Sequence, residues 1–209
     1  MMRTVLPLAA LVLLLAVPAR ADQRELYTSL ELSPSILLLD DTLDGRSHAS
    51  QVAAGGGILV YYGLTNTVHV GLAARALWTP NVQFPGKQYA LTDGSSPSGS
   101  LFEDVLGFGG ALVGAYRFDT GLPIAPVFRL ELGGTYLRYN HLQFIADNTQ
   151  VSFSFPALSE LVFGAKAVLA VEYRFGNHFV ASLGIGARKN FNSLNTWQFE
   201  LPITVGWIW

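Results

Sequence analysis

Eight charged residues lie at alternating positions of segments that are otherwise rich in apolar residues. Arg129 and Glu131 fall on one face of an extended chain, while Phe128 and Leu130 fall on the other. The full set contains four carboxylates and four cations: Glu31, Glu131, Glu172, Glu200, Arg75, Arg129, Lys166 and Arg188. Such side chains either line a gated ion path or pair as a salt-bridge network, because an isolated buried charge is strongly unfavourable.

Residues that could support catalysis or bind a metal are few. The four histidines, His48, His69, His141 and His178, are scattered, and none forms a pair with metal-ligand spacing. An acyl hydrolase needs a serine and a histidine, and His141 with Ser152 and Ser154 is the only candidate set. The segment 40–45 resembles the start of a calcium loop, but Gln51 stands where the bidentate glutamate belongs. We therefore predict no catalytic residue, cofactor or metal.

The charged residues belong to segments whose polarity alternates with a period of two, which predicts β-strands. Each segment reaches the roughly 9 to 11 residues with which a tilted strand crosses a bilayer. The eight predicted strands are Leu26–Leu38, Gln51–Tyr62, Thr67–Thr79, Phe102–Phe118, Ile124–Tyr139, Glu160–Phe175, His178–Arg188 and Trp197–Trp209.

The connections between these strands alternate in length. Those after the second, fourth and sixth strands are tight, whereas 80–101 and 140–159 are long and polar. Short turns at one end and long loops at the other are typical of outer-membrane barrels, whose long loops face outward. Alternating apolar residues at 142–144 and 151–155 predict a protruding hairpin, which either extends the wall or pairs with a surface partner.

Aromatic residues recur at two heights along the predicted strands. The distance from Trp197 to Trp207 projects to roughly 25 Å for a strand tilted by about 40°, which matches the apolar band of such barrels. The predicted interface aromatics are Tyr62, Trp78, Tyr116, Tyr136, Tyr173, Trp197, Trp207 and Trp209.

Composition and the N-terminal segment indicate export to a membrane. Half of the residues are hydrophobic and 13% are charged, which is too little charge for the outer face of a soluble lipocalin-type barrel. Residues 1–21 have a basic start, an apolar stretch and an Ala-Arg-Ala site, and are predicted to be a secretory signal peptide. The acidic balance of the mature chain argues against nucleic acid as a partner, and the lack of cysteine excludes a lipoprotein anchor and disulfides.

Residues 22–209 resemble the small eight-stranded outer-membrane barrels of the OmpA and OmpX type. The resemblance rests on the signal ending at Ala21, on the strand ends Tyr116-Arg117-Phe118 and Tyr173-Arg174-Phe175, and on the aromatic terminal strand 199–209. It implies an all-β, eight-stranded antiparallel up-and-down transmembrane β-barrel in the outer membrane of a Gram-negative bacterium. It also implies that the assembly machinery of that membrane reads the C-terminal strand.

The narrow interior of such a barrel leads us to predict that the eight charges pair and fill the lumen. The predicted function is a non-enzymatic structural or surface-interaction role in the cell envelope, with membrane lipids and a surface partner at the long loops. The alternatives are a porin-like channel for ions or small solutes and a lipid-modifying acyl hydrolase.

Overall fold

The computed structural model describes residues 25–40, 48–147, 151–176, 178–191 and 196–209, which form a single sheet of eleven antiparallel strands. Among these residues, no helix has the length and apolar character that crossing a membrane requires. The predicted signal peptide 1–21 lies outside the described residues. The strands are β1 (Leu26–Leu32), β2 (Ser35–Asp40), β3 (His48–Gly63), β4 (Val68–Gln88), β5 (Ser98–Arg117), β6 (Ile124–Ala146), β7 (Ser152–Ser154), β8 (Leu158–Phe175), β9 (Phe179–Asn190), β10 (Trp197–Glu200) and β11 (Ile203–Ile208).

Strand pairing closes the sheet on itself. β1 lies between β3 and β11, and β2 lies between β3 and β10. From β3 the pairing follows chain order through β4, β5, β6, β8 and β9, and β9 pairs with both β10 and β11. The first barrel strand therefore consists of β1 followed by β2, and the eighth consists of β10 followed by β11. The predicted eight-stranded antiparallel up-and-down barrel is confirmed.

Successive side chains point alternately into the lumen and out of the barrel. In β6, Arg129 and Glu131 are buried, whereas Leu130 and Leu132 are 52% and 63% exposed. The same alternation of charged interior and apolar exterior runs through β8, where Lys166 is buried and Leu169 is exposed. An apolar outer surface over a polar lumen is the arrangement of a barrel that faces lipid.

Strands β4 and β5 extend well beyond the predicted ends. The segment 80–101 was predicted to be a loop, but β4 continues to Gln88 and β5 begins at Ser98. Across this extension Phe84 pairs with Leu101, and both side chains are fully buried. Two irregularities, between Thr79 and Val82 and between Phe84 and Lys87, interrupt the alternation that would have marked a strand. The prediction of a loop is therefore wrong for all but the turn at 89–97.

The second long connection contains the predicted protruding hairpin. β6 runs to Ala146, and its residue Phe144 pairs with Phe153 of β7. On its other edge the same part of β6 pairs with β5, so the hairpin extends the barrel wall. Tyr89 packs edge to face on Phe144, with ring centroids 4.9 Å apart, and also contacts Phe153 and Phe155. We call residues 80–101 and 140–147, together with β7, the extended wall.

Aromatic side chains occupy the two predicted heights on the outer surface. At the short-turn end Tyr116 packs against Phe118, with ring centroids 4.8 Å apart, and Trp207 packs against Phe179 at 4.2 Å. Six of the predicted interface aromatics have side chains that are between 39% and 71% exposed: Tyr62, Trp78, Tyr136, Tyr173, Trp197 and Trp209. Amphipathic rings at both edges of an apolar band are typical of membrane interfaces.

The first and eighth barrel strands are both interrupted by proline at the same height. Leu32 pairs with Ile203 and Ser35 pairs with Glu200, so Ser33 and Pro34 face Leu201 and Pro202. Proline has no N–H to donate, so each proline removes one ladder hydrogen bond. One bond across the interruption remains, from the Leu201 N–H to the Pro34 carbonyl at 3.0 Å.

Candidate functional site in the barrel lumen

Arg75 crosses the middle of the lumen because the strands on both sides of it carry glycine. Its register partners are Gly57 on β3 and Gly109 on β5. A β-carbon at position 57 would come within 2.7 Å of the Arg75 Cγ. Glycine at this site therefore provides the space that the long arginine side chain occupies.

Glu31 is the centre of the mid-lumen ion network. Its side chain is fully buried, and its Oε1 accepts hydrogen bonds from Arg75 Nε at 2.8 Å and Lys166 Nζ at 3.2 Å. Ser33 Oγ donates to the same oxygen at 3.0 Å. The second carboxylate oxygen, Oε2, accepts from Arg129 Nη2. Three cations therefore neutralise this carboxylate from three different strands.

Glu131 and Glu200 complete the network. Arg75 holds Glu131 through both terminal nitrogens, with Nη2 2.8 Å from Oε1. Arg129 Nε lies 2.8 Å from the same oxygen, an ion pair whose geometry falls short of a hydrogen bond. Lys166 Nζ donates to Glu200 Oε2 at 2.6 Å. Each of the three cations contacts two carboxylates, and Arg75 binds Glu131 with both terminal nitrogens, so the network is cross-linked as well as neutralised.

Arg188 reaches the same height but binds neutral groups. Its Nε donates to Asn190 Oδ1 at 3.0 Å, and its Nη2 donates to Thr135 Oγ1 at 2.5 Å. Among the described residues, no ion pair within 4 Å includes Arg188. The sequence predicted Arg188 as one of the paired charges, and the structure differs on this point.

Glu172 does not join the mid-lumen network with which it was grouped. It lies near the short-turn end, where its Oε1 accepts from Arg117 Nε at 2.9 Å and from Arg174 Nε at 3.3 Å. Arg174 Nη1 also donates to Glu25 Oε2 at 3.3 Å, and Tyr27 contacts both residues. The grouping was wrong because Glu172 lies six residues after Lys166 in β8, and six residues of an extended strand bring it much closer to the short turns.

Two residues of this second cluster, Arg117 and Arg174, were not predicted as site residues. Each lies between the two aromatics of a strand end, Tyr116-Arg117-Phe118 and Tyr173-Arg174-Phe175. Because the aromatics face outward, the strand period alone places both arginines in the lumen. That signal was sufficient to find them.

An apolar core fills the lumen at the end opposite the short turns. Its largest fully buried members, Phe84, Leu101 and Leu142, come from the extended wall. The remaining buried members are Leu37, Leu39, Ala53, Val82, Val105, Leu137, Tyr139 and Val162. The lumen is thus filled in three layers along its axis: the apolar core, the mid-lumen network and the cluster around Glu172.

Two small cavities lie on either side of the mid-lumen network. The one toward the short turns has a volume of about 60 Å³ and is lined by Tyr27, His69 and Arg117, among others. The one beneath the apolar core has a volume of about 40 Å³ and is lined by Arg75, Arg188 and Glu200, among others. Each holds a few water molecules at most.

The candidate hydrolase residues do not form a lumen site. The alternation along the fifth predicted strand predicts that His141 faces inward, but its side chain is 83% exposed and its Nδ1 lies 2.7 Å from Asp104 Oδ2. The inward assignment was wrong because the register shifts between Phe102 and Asp104, and because His141 itself has a φ of 53°. The calcium-like segment from 41 to 45 lies outside the described residues.

Two solved structures share this fold over most of their length. Neisserial surface protein A has 14% sequence identity with this chain and a TM-score of 0.54, and the match covers 88% of this chain and 99% of that one. Ail, the attachment invasion locus protein of Yersinia pestis, has 12% identity and a TM-score of 0.50, with 90% and 100% covered. No protein-family model matches this chain, and no curated protein matches it. The chain therefore has the fold of the small eight-stranded outer-membrane barrels.

Proposed function

We propose that the protein is an integral barrel of a bacterial outer membrane, with a closed lumen and a structural or surface-interaction role. The observation that carries this proposal is the filling of the lumen by three successive layers. An open channel needs a continuous polar path, whereas here fully buried Phe84 and Leu101 lie above a network whose central carboxylate, Glu31, has no exposed surface.

The outer surface supports contact with membrane lipids. Exposed leucine, isoleucine, valine and phenylalanine side chains cover it between the two aromatic levels. Exposing such a surface to water would be strongly unfavourable, so lipid is the environment that it fits. Export by the predicted signal peptide 1–21 would bring the chain to the outer membrane.

The extended wall supports a role at the cell surface. It continues the barrel beyond the aromatic level of Trp78 and Tyr136, and a cluster of four aromatic rings, Tyr89 and three phenylalanines, stiffens it. The long connections of outer-membrane barrels face the exterior. A rigid wall there offers a partner a fixed surface, whereas a flexible loop would lose conformational entropy on binding.

The assembly machinery of the outer membrane is the second proposed partner, through the C-terminal strand. β11 pairs with β1 to close the barrel, and its outward residues Val205 and Trp207 continue the aromatic pattern that this class of protein presents. The balance of charge gives no basis for binding nucleic acid.

Conductance in a planar lipid bilayer tests the closed lumen. Purified protein should give no steady current of porin size, and a Glu31→Ala variant should also stay closed because the apolar core still fills the lumen above it. An open porin reconstituted in the same way is the positive control. Steady conductance by the wild-type protein would instead support the channel alternative.

Lipid analysis tests the remaining alternative, an acyl hydrolase. Outer-membrane lipids from cells with and without the protein should have the same acyl composition by mass spectrometry. A loss of acyl chains that disappears in a His141→Ala variant would overturn the non-enzymatic proposal.

A further inference from the structure

The middle of the lumen contains one more cation than carboxylates. At this height the ion pairs among the described residues join three carboxylates, Glu31, Glu131 and Glu200, to three cations, Arg75, Arg129 and Lys166. Arg188 remains as a surplus positive charge, partly buried in a lumen closed from above. A charge removed from water without a counterion in contact is unfavourable.

The strand register adds to this surplus. Arg188 on β9 lies directly opposite Lys166 on β8, and both point into the lumen. Like charges at directly opposite positions of two strands repel each other. On its other side Arg188 faces Gln198 of β10, which is buried and neutral. The two neighbours of Arg188 therefore do not supply its negative charge.

The cavity beneath the apolar core lies beside Arg188 and presents donors to its interior. Its lining includes five side chains that can donate a hydrogen bond: Arg188, Thr135, Asn190, Gln198 and Thr196. Thr196 is 1% exposed, and within the part of the chain that the structure describes its Oγ1 has no hydrogen-bond partner. A buried hydroxyl without a partner at the edge of a cavity indicates a bound water or ion.

We propose that this cavity binds a small monovalent anion of the chloride type, with Arg188 as its principal ligand and the Thr196 hydroxyl as a second donor. Arg188 has five N–H groups and spends two of them on Asn190 and Thr135. The volume of about 40 Å³ has room for one monatomic ion with a water molecule.

The carboxylate that lines the same cavity does not prevent anion binding. Glu200 directs its Oε2 to Lys166 Nζ, which donates to it at 2.6 Å. The anion thus completes the neutralisation of the four cations, and the lumen carries no net charge at this height.

The test is the thermal stability of the purified, folded protein as chloride replaces gluconate at constant ionic strength. The unfolding temperature, followed by the heat-dependent change in gel mobility, should rise with chloride concentration and then saturate, because a ligand that binds only the folded state stabilises it. Crystals soaked in bromide should show an anomalous peak between Arg188 and Thr196. If stability does not depend on chloride and no bromide peak appears, the cavity holds water alone and the proposal is overturned.

Variants separate this site from a general effect of salt. Arg188→Gln should abolish the chloride dependence and should be at least as stable as the wild type in gluconate, since the surplus charge is gone. Thr196→Val should weaken the dependence. Arg138→Gln, which removes an exposed outward arginine, should leave it unchanged. Persistence of the full chloride dependence in Arg188→Gln would overturn the assignment.

Discussion

Replacing Glu31 with glutamine should destabilise the barrel more than any other single amide substitution in the lumen. The carboxylate accepts four hydrogen bonds, three of them from cations, and its side chain has no exposed surface. An amide keeps one acceptor oxygen but turns an NH2 donor toward Arg129 or Arg75. Breaking a buried ion pair in this way costs about 3 to 5 kcal/mol, a large fraction of the roughly 5 to 15 kcal/mol that holds a typical domain folded.

The assay is urea unfolding of protein refolded into lipid vesicles, followed by tryptophan fluorescence and gel mobility. Glu31→Gln should lower the midpoint strongly, and the double variant Glu31→Gln, Arg129→Gln should recover part of the loss because a cation leaves with the carboxylate. The expected coupling between the two sites is about 0.5 to 3 kcal/mol. Asp147→Asn, an exposed carboxylate on the extended wall, is the matched control and should change stability by less than about 0.5 kcal/mol. A small loss in Glu31→Gln, or a double variant whose loss equals the sum, would refute the reasoning.

Three further outcomes are expected. Deleting Trp207–Trp209 should reduce the amount of heat-modifiable barrel in the outer membrane, because the deletion removes part of the ladder with β1; equal assembly of the shortened chain would contradict this. Protease added to intact cells should cut near Ser95, in the exposed turn of the extended wall, and should leave the short turns intact; cleavage at the short turns alone would invert the orientation. Partial burial raises the pKa of Asp104, but hydrogen bonds from the Asn81 N–H and His141 outweigh it and hold that pKa below its ordinary range. The stabilisation from this carboxylate is then complete above its unfolded-state pKa of about 3.9 and is lost as the pH falls through the lower folded value. The protection factor of the Asn81 amide, which is the exchange rate corrected for its intrinsic dependence on pH, measures this loss, and Asp104→Asn should make that factor independent of pH in this range.

The barrel itself could be predicted from the sequence because its strands carry a simple alternation. The alternation of Arg129 and Glu131 with Leu130 and Leu132 identifies the lumen face of β6. The same rule places Arg174 on the lumen face of β8, between Tyr173 and Phe175. In each case a single period of two decides the direction of every side chain.

The extended wall and the exact pairing of charges could not be predicted in this way. Proline and glycine near 80–86 read as loop residues, although they form bulges in a strand whose core residues Val82 and Phe84 are fully buried. Pairing depends on height along the barrel axis, which is set by the stagger between strands. The sequence therefore indicated which charges face inward, but not that Glu172 belongs to a separate cluster or that Arg188 binds neutral groups.

The proline interruption between the first and eighth strands has a consequence for the folding kinetics. It divides the ladder that joins the two ends of the chain into two separate pieces, of six pairs and four pairs. Neighbouring strands joined by short turns pair locally and quickly, whereas these two pieces join residues almost a whole chain apart and bear the largest loop-closure entropy. The register is the same on both sides of the interruption, and the bond from the Leu201 N–H to the Pro34 carbonyl still joins the two pieces, so the ladder is weakened at this height but not broken. We therefore expect the joining of the chain ends, rather than the formation of the hairpins, to be the slow step in forming the closed barrel, with its weakest point at the prolines.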